Sequence, residues 1–435
     1  MKLQKLALIA AIACGITGGV ANAGDVQLTS CLGGCTDGCD TSCDCGEPVC
    51  GCEAIGGCDT NCCDGGCDSA GCGCIGGGCL GGDCCLGDPY KLFDNDGPYD
   101  IGGWVSLGYH SNAVPLFNNR PDELNLHQAW LYAERAIDTS CGFDIGGRID
   151  YVYGIDAQDT QAFGIANDHW DNDWDNGAYG HALPQAYLEA GYGDLSVKVG
   201  HFYTIIGWEV VGAPGNFFYS HAYTFFNSEP FTHTGALATY NVNDDVTAYG
   251  GYVLGWDSGF EDNGDAFLGG LSVNLTDELN VTYATIGGRF NTGDFGRGAG
   301  FDQGRQGYMH SIVANYQMSD TLQYIFQSDL LEADDLNGND FQESIGINQY
   351  LIRTINDCNA VGARFEWYQS EGIFNNAIGA GSSDIYALTL GWNHRPNANL
   401  ILRPEVRWDF DDDQVSDVLD GDDQFTFGVD GIVTF

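Results

Sequence analysis

Residues 398–410, ANLILRPEVRWDF, set Leu400, Leu402, Val406 and Trp408 on one side of an extended chain and Arg403, Glu405, Arg407 and Asp409 on the other. Alternation at every second residue is the period of a strand, not of a helix. Charges in mid-strand need water on their own side, so this strand divides an apolar environment from a wet one. Residues 142–154, GFDIGGRIDYVYG, repeat the pattern: Phe143, Ile145, Ile149, Tyr151 and Tyr153 oppose Asp144, Arg148 and Asp150. A soluble sandwich and a barrel with a hydrated interior both satisfy it.

Runs of this kind recur along the chain near 100–110, 125–137, 142–155, 184–193, 195–206, 234–242, 245–256, 265–275, 279–290, 306–318, 321–331, 342–356, 359–369, 384–393, 398–409 and 424–435. Sixteen is an even number, as an up-and-down barrel requires. Their connections alternate in length. Tight turns such as Gly193-Asp194, Asn243-Asp244, Thr276-Asp277-Glu278, Ser319-Asp320 and Asp357-Cys358 fall between longer acidic loops. A sandwich has no reason to sort its loops this way, whereas an outer-membrane barrel has short turns on one rim and long loops on the other. The expectation is an all-β fold, a transmembrane antiparallel up-and-down β-barrel of about 16 strands spanning 99–435. No segment has the roughly 18 consecutive apolar residues that a membrane-crossing helix needs.

Composition narrows function in the same direction. The 435 residues carry 15 Lys+Arg against 61 Asp+Glu, a formal net charge of -46. So few basic groups cannot displace many counterions from phosphates, which excludes nucleic acid as a partner. With 44% hydrophobic residues there is apolar surface enough to fold. At the N-terminus, Lys2 and Lys5 precede an apolar run that ends in Ala21-Asn22-Ala23, so residues 1–23 read as a secretory signal peptide. Lipidation at Cys14 is the weaker option, because Ala11-Ile12-Ala13-Cys14 lacks the usual leucine.

Residues 24–98 form a separate Cys/Gly/Asp-rich irregular segment, expected on the periplasmic side, with 16 cysteines between Cys31 and Cys85. Export favours disulfides, the even count permits complete internal pairing, and spacings such as Cys43-Asp44-Cys45 match no zinc signature. Cys141 and Cys358 fall in short turns of one rim. Sixteen strands about 4.8 Å apart make a barrel roughly 32 Å across, too wide for those two turns to meet. Free thiols, or pairing to the N-terminal segment, are expected instead.

The final strand, FTFGVDGIVTF, places Phe425, Phe427, Val429, Val433 and Phe435 on one face. A chain that stops on an aromatic in this pattern resembles the signal by which outer-membrane barrels reach their insertion machinery, with Phe427, Val429, Val433 and Phe435 as its residues. Insertion machinery and outer-membrane lipids are therefore expected partners.

Three stretches carry a more specific resemblance: EVVGAPGNFFYSHAYTFFNSEPFTHTGALATY (209–240), NDDVTAYGGYVLGWDSGF (243–260) and AVGARFEWY (360–368). Together they resemble the OmpL-like β-barrel porin family abundant in planctomycete-type bacteria. The likeness covers about 99–435, and the cysteine-rich segment departs from the family pattern. It implies a pore in the bacterial outer membrane and brings no catalytic residues with it. Porins of this size are commonly homotrimers, so by family analogy a homotrimer is expected here.

If the polar faces turn inward, the pore-lining residues are Asp144, Arg148, Asp150, Glu189, Lys198, Arg364, Glu366, Arg403, Glu405 and Arg407, which either set ion selectivity or pair with one another in a hydrated lumen. The segment 207–233 carries Trp208, Phe217, Phe218, Tyr219, Tyr223, Phe225 and Phe226, too much apolar surface to leave in water. It is expected to fold inward as a constriction loop, or to cap the rim or a subunit contact. Acidic clusters, Asp168, Asp171, Asp173 and Asp175 in one, Glu332, Asp334, Asp335 and Asp340 in another, and 411–423 in a third, form a field that attracts cations. The stretch DNDWDNG hints at calcium, but Ala182 stands at the twelfth position from Asp171, where the loop motif needs Glu. No cofactor and no metal ligands are expected. Ser220-His221 and His110-Ser111 fit no nucleophile-elbow pattern, so an enzyme is not expected.

The leading reading is a porin passing small hydrophilic solutes by passive diffusion. The other is a structural or surface-adhesion barrel fastened to the envelope by its cysteine-rich segment.

Overall fold

The computed structural model describes residues 84, 86–93, 97–114, 117–261, 264–292, 304–372, 381–411 and 423–435. The signal peptide, nearly all of the cysteine-rich segment and most of the third acidic cluster lie outside the described residues.

Sixteen long strands follow one another: β1 (Asp100–His110), β2 (Asn125–Arg135), β3 (Asp144–Gly154), β4 (Tyr179–Tyr192), β5 (Leu195–Tyr203), β6 (Thr232–Asn243), β7 (Val246–Val253), β8 (Asp265–Thr276), β9 (Leu279–Asn291), β10 (Arg305–Ser319), β11 (Leu322–Asp335), β12 (Asp340–Asn356), β13 (Asn359–Gly372), β14 (Gly381–Asn397), β15 (Leu400–Asp411) and β16 (Gln424–Thr434). Each pairs antiparallel with its sequence neighbours. β16 returns to β1, with Trp104 opposite Thr434 and His110 opposite Gly428, so the sheet closes and leaves no edge. A sandwich is excluded by that closure. A further two-residue strand, Asp175–Asn176, pairs only with β4 inside a long loop.

Two-residue turns join β4 to β5, β6 to β7, β8 to β9, β10 to β11, β12 to β13 and β14 to β15, all on the rim where both chain ends of the barrel emerge. Every expected strand is present, β11 runs four residues further than expected, to Asp335, and two other large boundary differences share a cause. β4 starts at Tyr179, five residues earlier than expected, because Pro184 lies where Asp150 pairs with Gln185 but Val152 pairs with Ala182. An extra residue is accommodated there, and a bulge tolerates the missing N–H of proline. β14 likewise runs through Arg395-Pro396 by a register shift between His394 and Asn397.

The alternation becomes a division of environments. Leu188, Val199, Phe267, Leu271, Phe365, Leu388, Leu402, Phe425 and Phe427 are exposed on the outside, while Arg364, Glu366, Arg403, Glu405 and Arg407 are buried inside. Such an apolar belt suits lipid. Among the described residues no helix is long and apolar enough to cross a membrane.

On the short-turn rim Cys84 is bonded to Cys358, with Cα atoms 5.9 Å apart across 274 residues of sequence. The adjoining strip is held by Ala398 N–H to Leu86 O (2.9 Å), Tyr90 N–H to Asn399 Oδ1 (2.7 Å) and Asn399 Nδ2 to Tyr90 O (2.8 Å). Complete pairing within the 16-cysteine run is therefore overturned, since Cys84 leaves it to reach the barrel. Cys141, in the turn between β2 and β3, is exposed and unpaired among the described residues.

Candidate functional site

The ten charged residues expected on the interior meet two different surroundings: Asp150, Arg364, Glu366, Arg403, Glu405 and Arg407 are buried, whereas Asp144, Arg148, Glu189 and Lys198 are half-buried. What divides them is the connection between β5 and β6, residues 204–231, which folds into the barrel. A chain passing through the interior must satisfy its backbone polar groups without bulk water. The inward charges of β13 and β15 meet that need.

Arg403 donates through Nη1 to the carbonyls of Ala213 (2.9 Å), Asn216 (2.7 Å) and Phe218 (3.1 Å), while its Nε and Nη2 bind Asp430 at 2.9 and 2.6 Å. Glu405 accepts the N–H groups of Tyr219 (2.9 Å) and Ser220 (3.1 Å). Arg407 reaches His221 O at 2.6 Å and Asp409 at 2.7 Å. Two strands away, on β13, Arg364 binds Glu209 and Ser220 O, both at 2.6 Å, and Glu366 accepts N–H from Tyr223 (2.8 Å) and Thr224 (2.7 Å). The last two residues open the short helix Tyr223–Ser228, whose first N–H groups have no partner within the helix.

The aromatic residues of the loop fill the space between these anchors. Phe218 packs with Val313, Ile325 and Tyr350, with Trp208 and Phe217 alongside; Phe225 stacks on Phe231 with ring centroids 4.7 Å apart. Tyr223 meets Tyr368, Ile385 and Ala387, and Phe226 lies against the same group. The hydroxyl of Tyr219 lies 2.6 Å from Nε2 of His127, whose Nδ1 is 2.7 Å from Asp156. A side chain at Gly362 would stand 2.5 Å from the Phe217 ring, so the wall is glycine where the loop presses closest.

Across the barrel, Glu134, Arg148, Glu189 and Lys198 of β2 to β5 are only half-buried. Arg148 binds Glu134 (2.7 Å) and Asp150 (2.6 Å) and lies over the Tyr132 ring; its own side chain is 22% exposed and that of Glu134 is 30%. Asp150 itself is covered and also accepts from Trp130 Nε1 at 3.0 Å. Lys198 lies over the Tyr187 ring, 4.3 Å from its centre, Glu189 accepts from Ser196 Oγ at 2.7 Å, and both charged groups are half-buried. Asp144 forms a two-pronged pair with Arg135 at the short-turn rim.

Some expectations need correction. Asp171 is not part of an acidic outer surface: it is fully buried and accepts N–H from Ala162 (2.9 Å) and Leu183 (2.7 Å), holding the long loop between β3 and β4. Burial pushes its carboxyl up to about 6. Ser220 and His221 turn apart, the hydroxyl accepting from Arg364 and the imidazole approaching Val210 O. Among the described residues no group of three or more His, Cys, Asp and Glu side chains is placed around a common point. Sequence reasoning missed Glu209, Gln128 and Tyr350, which fix the loop from positions with no local signal. Gln128 bonds Val211 O and Ala213 N, and Tyr350 bonds Glu209. The outward-facing terminal residues Phe427, Val429 and Val433, together with the last residue, Phe435, occupy the closing strand and its end beside β1.

An inward-folded loop anchored to the wall of a closed sixteen-strand barrel is joined by a direct comparison: residues 98–435 match the family described as "Putative beta-barrel porin-2, OmpL-like". The chain belongs to this OmpL-like β-barrel porin family. It is an outer-membrane porin, a passive-diffusion channel of the bacterial outer membrane. Against curated proteins no match was found. Among solved structures the chain is similar to OmpT of Vibrio cholerae, at 13% identity, with 79% of this chain and 99% of that one covered and a TM-score of 0.52. The anion-selective porin of Comamonas acidovorans matches at 12% identity over 78% and 99% of the two chains, also with a TM-score of 0.52. The channel DcaP of Acinetobacter baumannii gives 10% identity over 78% and 97%, with a TM-score of 0.51. At such identities these likenesses concern the fold alone.

Proposed function

We propose that residues 204–231 form the constriction of this porin and that small hydrophilic solutes meet, on the short-turn side of the loop, the charged groups that β2 to β5 carry there. The observation that carries this reading is the contrast between half-exposed Lys198, Glu189 and Arg148 on those strands and the covered arginines of β13 and β15. Solutes leave without chemical change, as passive diffusion through a pore requires. The acid-rich loops concentrate cations at the mouth at low salt. Assembly as a homotrimer, the form of one solved OmpT structure from Vibrio cholerae, belongs to the same proposal. Planar-bilayer recording tests it. Removing residues 215–226 should raise single-channel conductance several-fold, and an unchanged value excludes a constricting role.

A second reading is favoured by the Cys84–Cys358 bond: a barrel that carries the cysteine-rich segment as a covalently fastened envelope anchor. Lys91 is the only lysine or arginine between residue 24 and Arg120. Trypsin cutting after Lys91 should therefore leave the upstream segment attached on a non-reducing gel, and Cys358→Ser should release it. A sealed lumen in the bilayer would leave this second role as the principal one.

A further inference from the structure

Where the loop meets the interior wall, nearly every buried carboxylate has a clear source of compensation. Glu209 has Arg364, and Glu366 and Glu405 each have two backbone N–H donors. Glu229 and Asp329 are the exception. Glu229 lies at the end of the loop and Asp329 on β11, and they are only 5% and 1% exposed. No basic side chain among the described residues pairs with either. Instead both share one amide: Gln327 Nε2 donates to Glu229 Oε1 at 2.6 Å and to Asp329 Oδ2 at 3.0 Å. The amide is oriented by the N–H of Trp208, which donates to its Oε1 at 3.1 Å.

The second oxygen of each carboxylate, Glu229 Oε2 and Asp329 Oδ1, is buried without a hydrogen-bond partner. Two neutral oxygen donors stand beside them in the same condition. Ser311 faces Asp329 directly across the β10–β11 ladder, and its hydroxyl has no partner of normal geometry. Asn348 faces Gln327 across the β11–β12 ladder, with neither amide atom bonded. Both are 1% exposed. Gly207, at φ 87°, leaves space beside the Glu229 carboxylate that a side chain would fill. Two ionised carboxylates in a water-poor interior are costly unless a positive charge joins them.

We propose that Glu229 and Asp329, assisted by Ser311 and Asn348, bind a hard divalent cation such as Ca2+ and so pin the end of the loop to β10–β12. The charge matches, and the ligand set is entirely oxygen, which selects calcium-like over zinc-like ions. Three or more acidic ligands are not needed when neutral oxygens complete the shell. The site stands independently of how solutes pass the loop, because its test requires no conductance.

The probe is terbium(III), titrated into the full-length barrel in detergent, with tryptophan excitation and with Trp208 adjacent to the site. The expected result is a saturable sensitised emission with about one ion per chain, displaced by Ca2+. Its decay rates in H2O and D2O should report only a few bound waters, unlike ions held by the exposed acidic loops. Asp329→Asn and Glu229→Gln should each lower this emission at least tenfold while the heat-modifiable gel shift, which reports a folded barrel, is retained. Should a variant fail to fold, the decay measurement on the unaltered protein still decides. Emission only from fully hydrated ions, emission that survives both substitutions, or a carboxylate pair that responds to acid but not to Ca2+ or terbium would each overturn the proposal.

Discussion

Arg403 on β15 and Lys198 on β5 stand at the same height in the barrel, each three residues in from the start of its strand after a two-residue turn, yet they live in different media. Arg403 is 3% exposed and spends its guanidinium on three loop carbonyls and Asp430. Lys198 is half-buried over Tyr187 with water within reach. An inward-facing position in a closed barrel is therefore not a single environment. The loop dries the interior where it packs, and there the charged groups of β13 and β15 act as backbone ligands. On β4 and β5 the charged groups are only half-buried, and water shares the work. The same residue types do both, because a guanidinium satisfies carbonyls as readily as it attracts anions.

The largest expected effect tests that difference directly. Arg403→Ala leaves Asp430 without its cation and three carbonyls without their donor in a dry setting and should cost about 3–5 kcal/mol, read as a fall in the denaturant midpoint of the folded barrel in detergent. Lys198→Ala should cost less than about 1 kcal/mol but shift ion selectivity toward cations. Equal costs for the two would break the comparison.

A smaller effect probes burial at the point where the loop leaves the interior. Asp257, outside the strands and 2% exposed, accepts the N–H groups of Phe231 (2.8 Å) and Thr232 (3.0 Å). Burial pushes its carboxyl from 3.8 up to about 7, against the opposing pull of those N–H groups and of the Arg305 charge. An acid raised in the folded state weakens the fold as it ionises. Its contribution is whole below its ordinary range and is lost as pH rises through about 7. Stability should drop by on the order of 2 kcal/mol between pH 5 and pH 8, and Asp257→Asn, which keeps the acceptor oxygen, should remove most of that drop.

Much of this was legible because a strand reports its two faces at every second residue. Phe365 and Leu402 outside, and Arg364 and Arg403 inside, follow from position parity alone. Two of the misplaced strand ends lie at Pro184 and Pro396, where proline reads as a stop but the ladder absorbs it as a bulge or register shift. Asp171 looked like surface charge because its partners, Ala162 and Leu183, are recognisable only after the loop has turned back on itself. Cys84 is indistinguishable in sequence from its fifteen neighbours in the cysteine-rich run, and what singles it out is a turn 274 residues away.

From the chain alone come the strand count, the sorting of short turns from long loops, the lipid-facing belt and the inward direction of the charges, all properties of local periodicity. Which of those charges meets water depends on where residues 204–231 come to rest, and that is settled by partners more than a hundred residues distant, such as Ser220 with Arg364 and Phe218 with Arg403. Contacts of that range leave no period in the sequence, because their energy arises only once the barrel has closed and the loop has displaced the solvent within it.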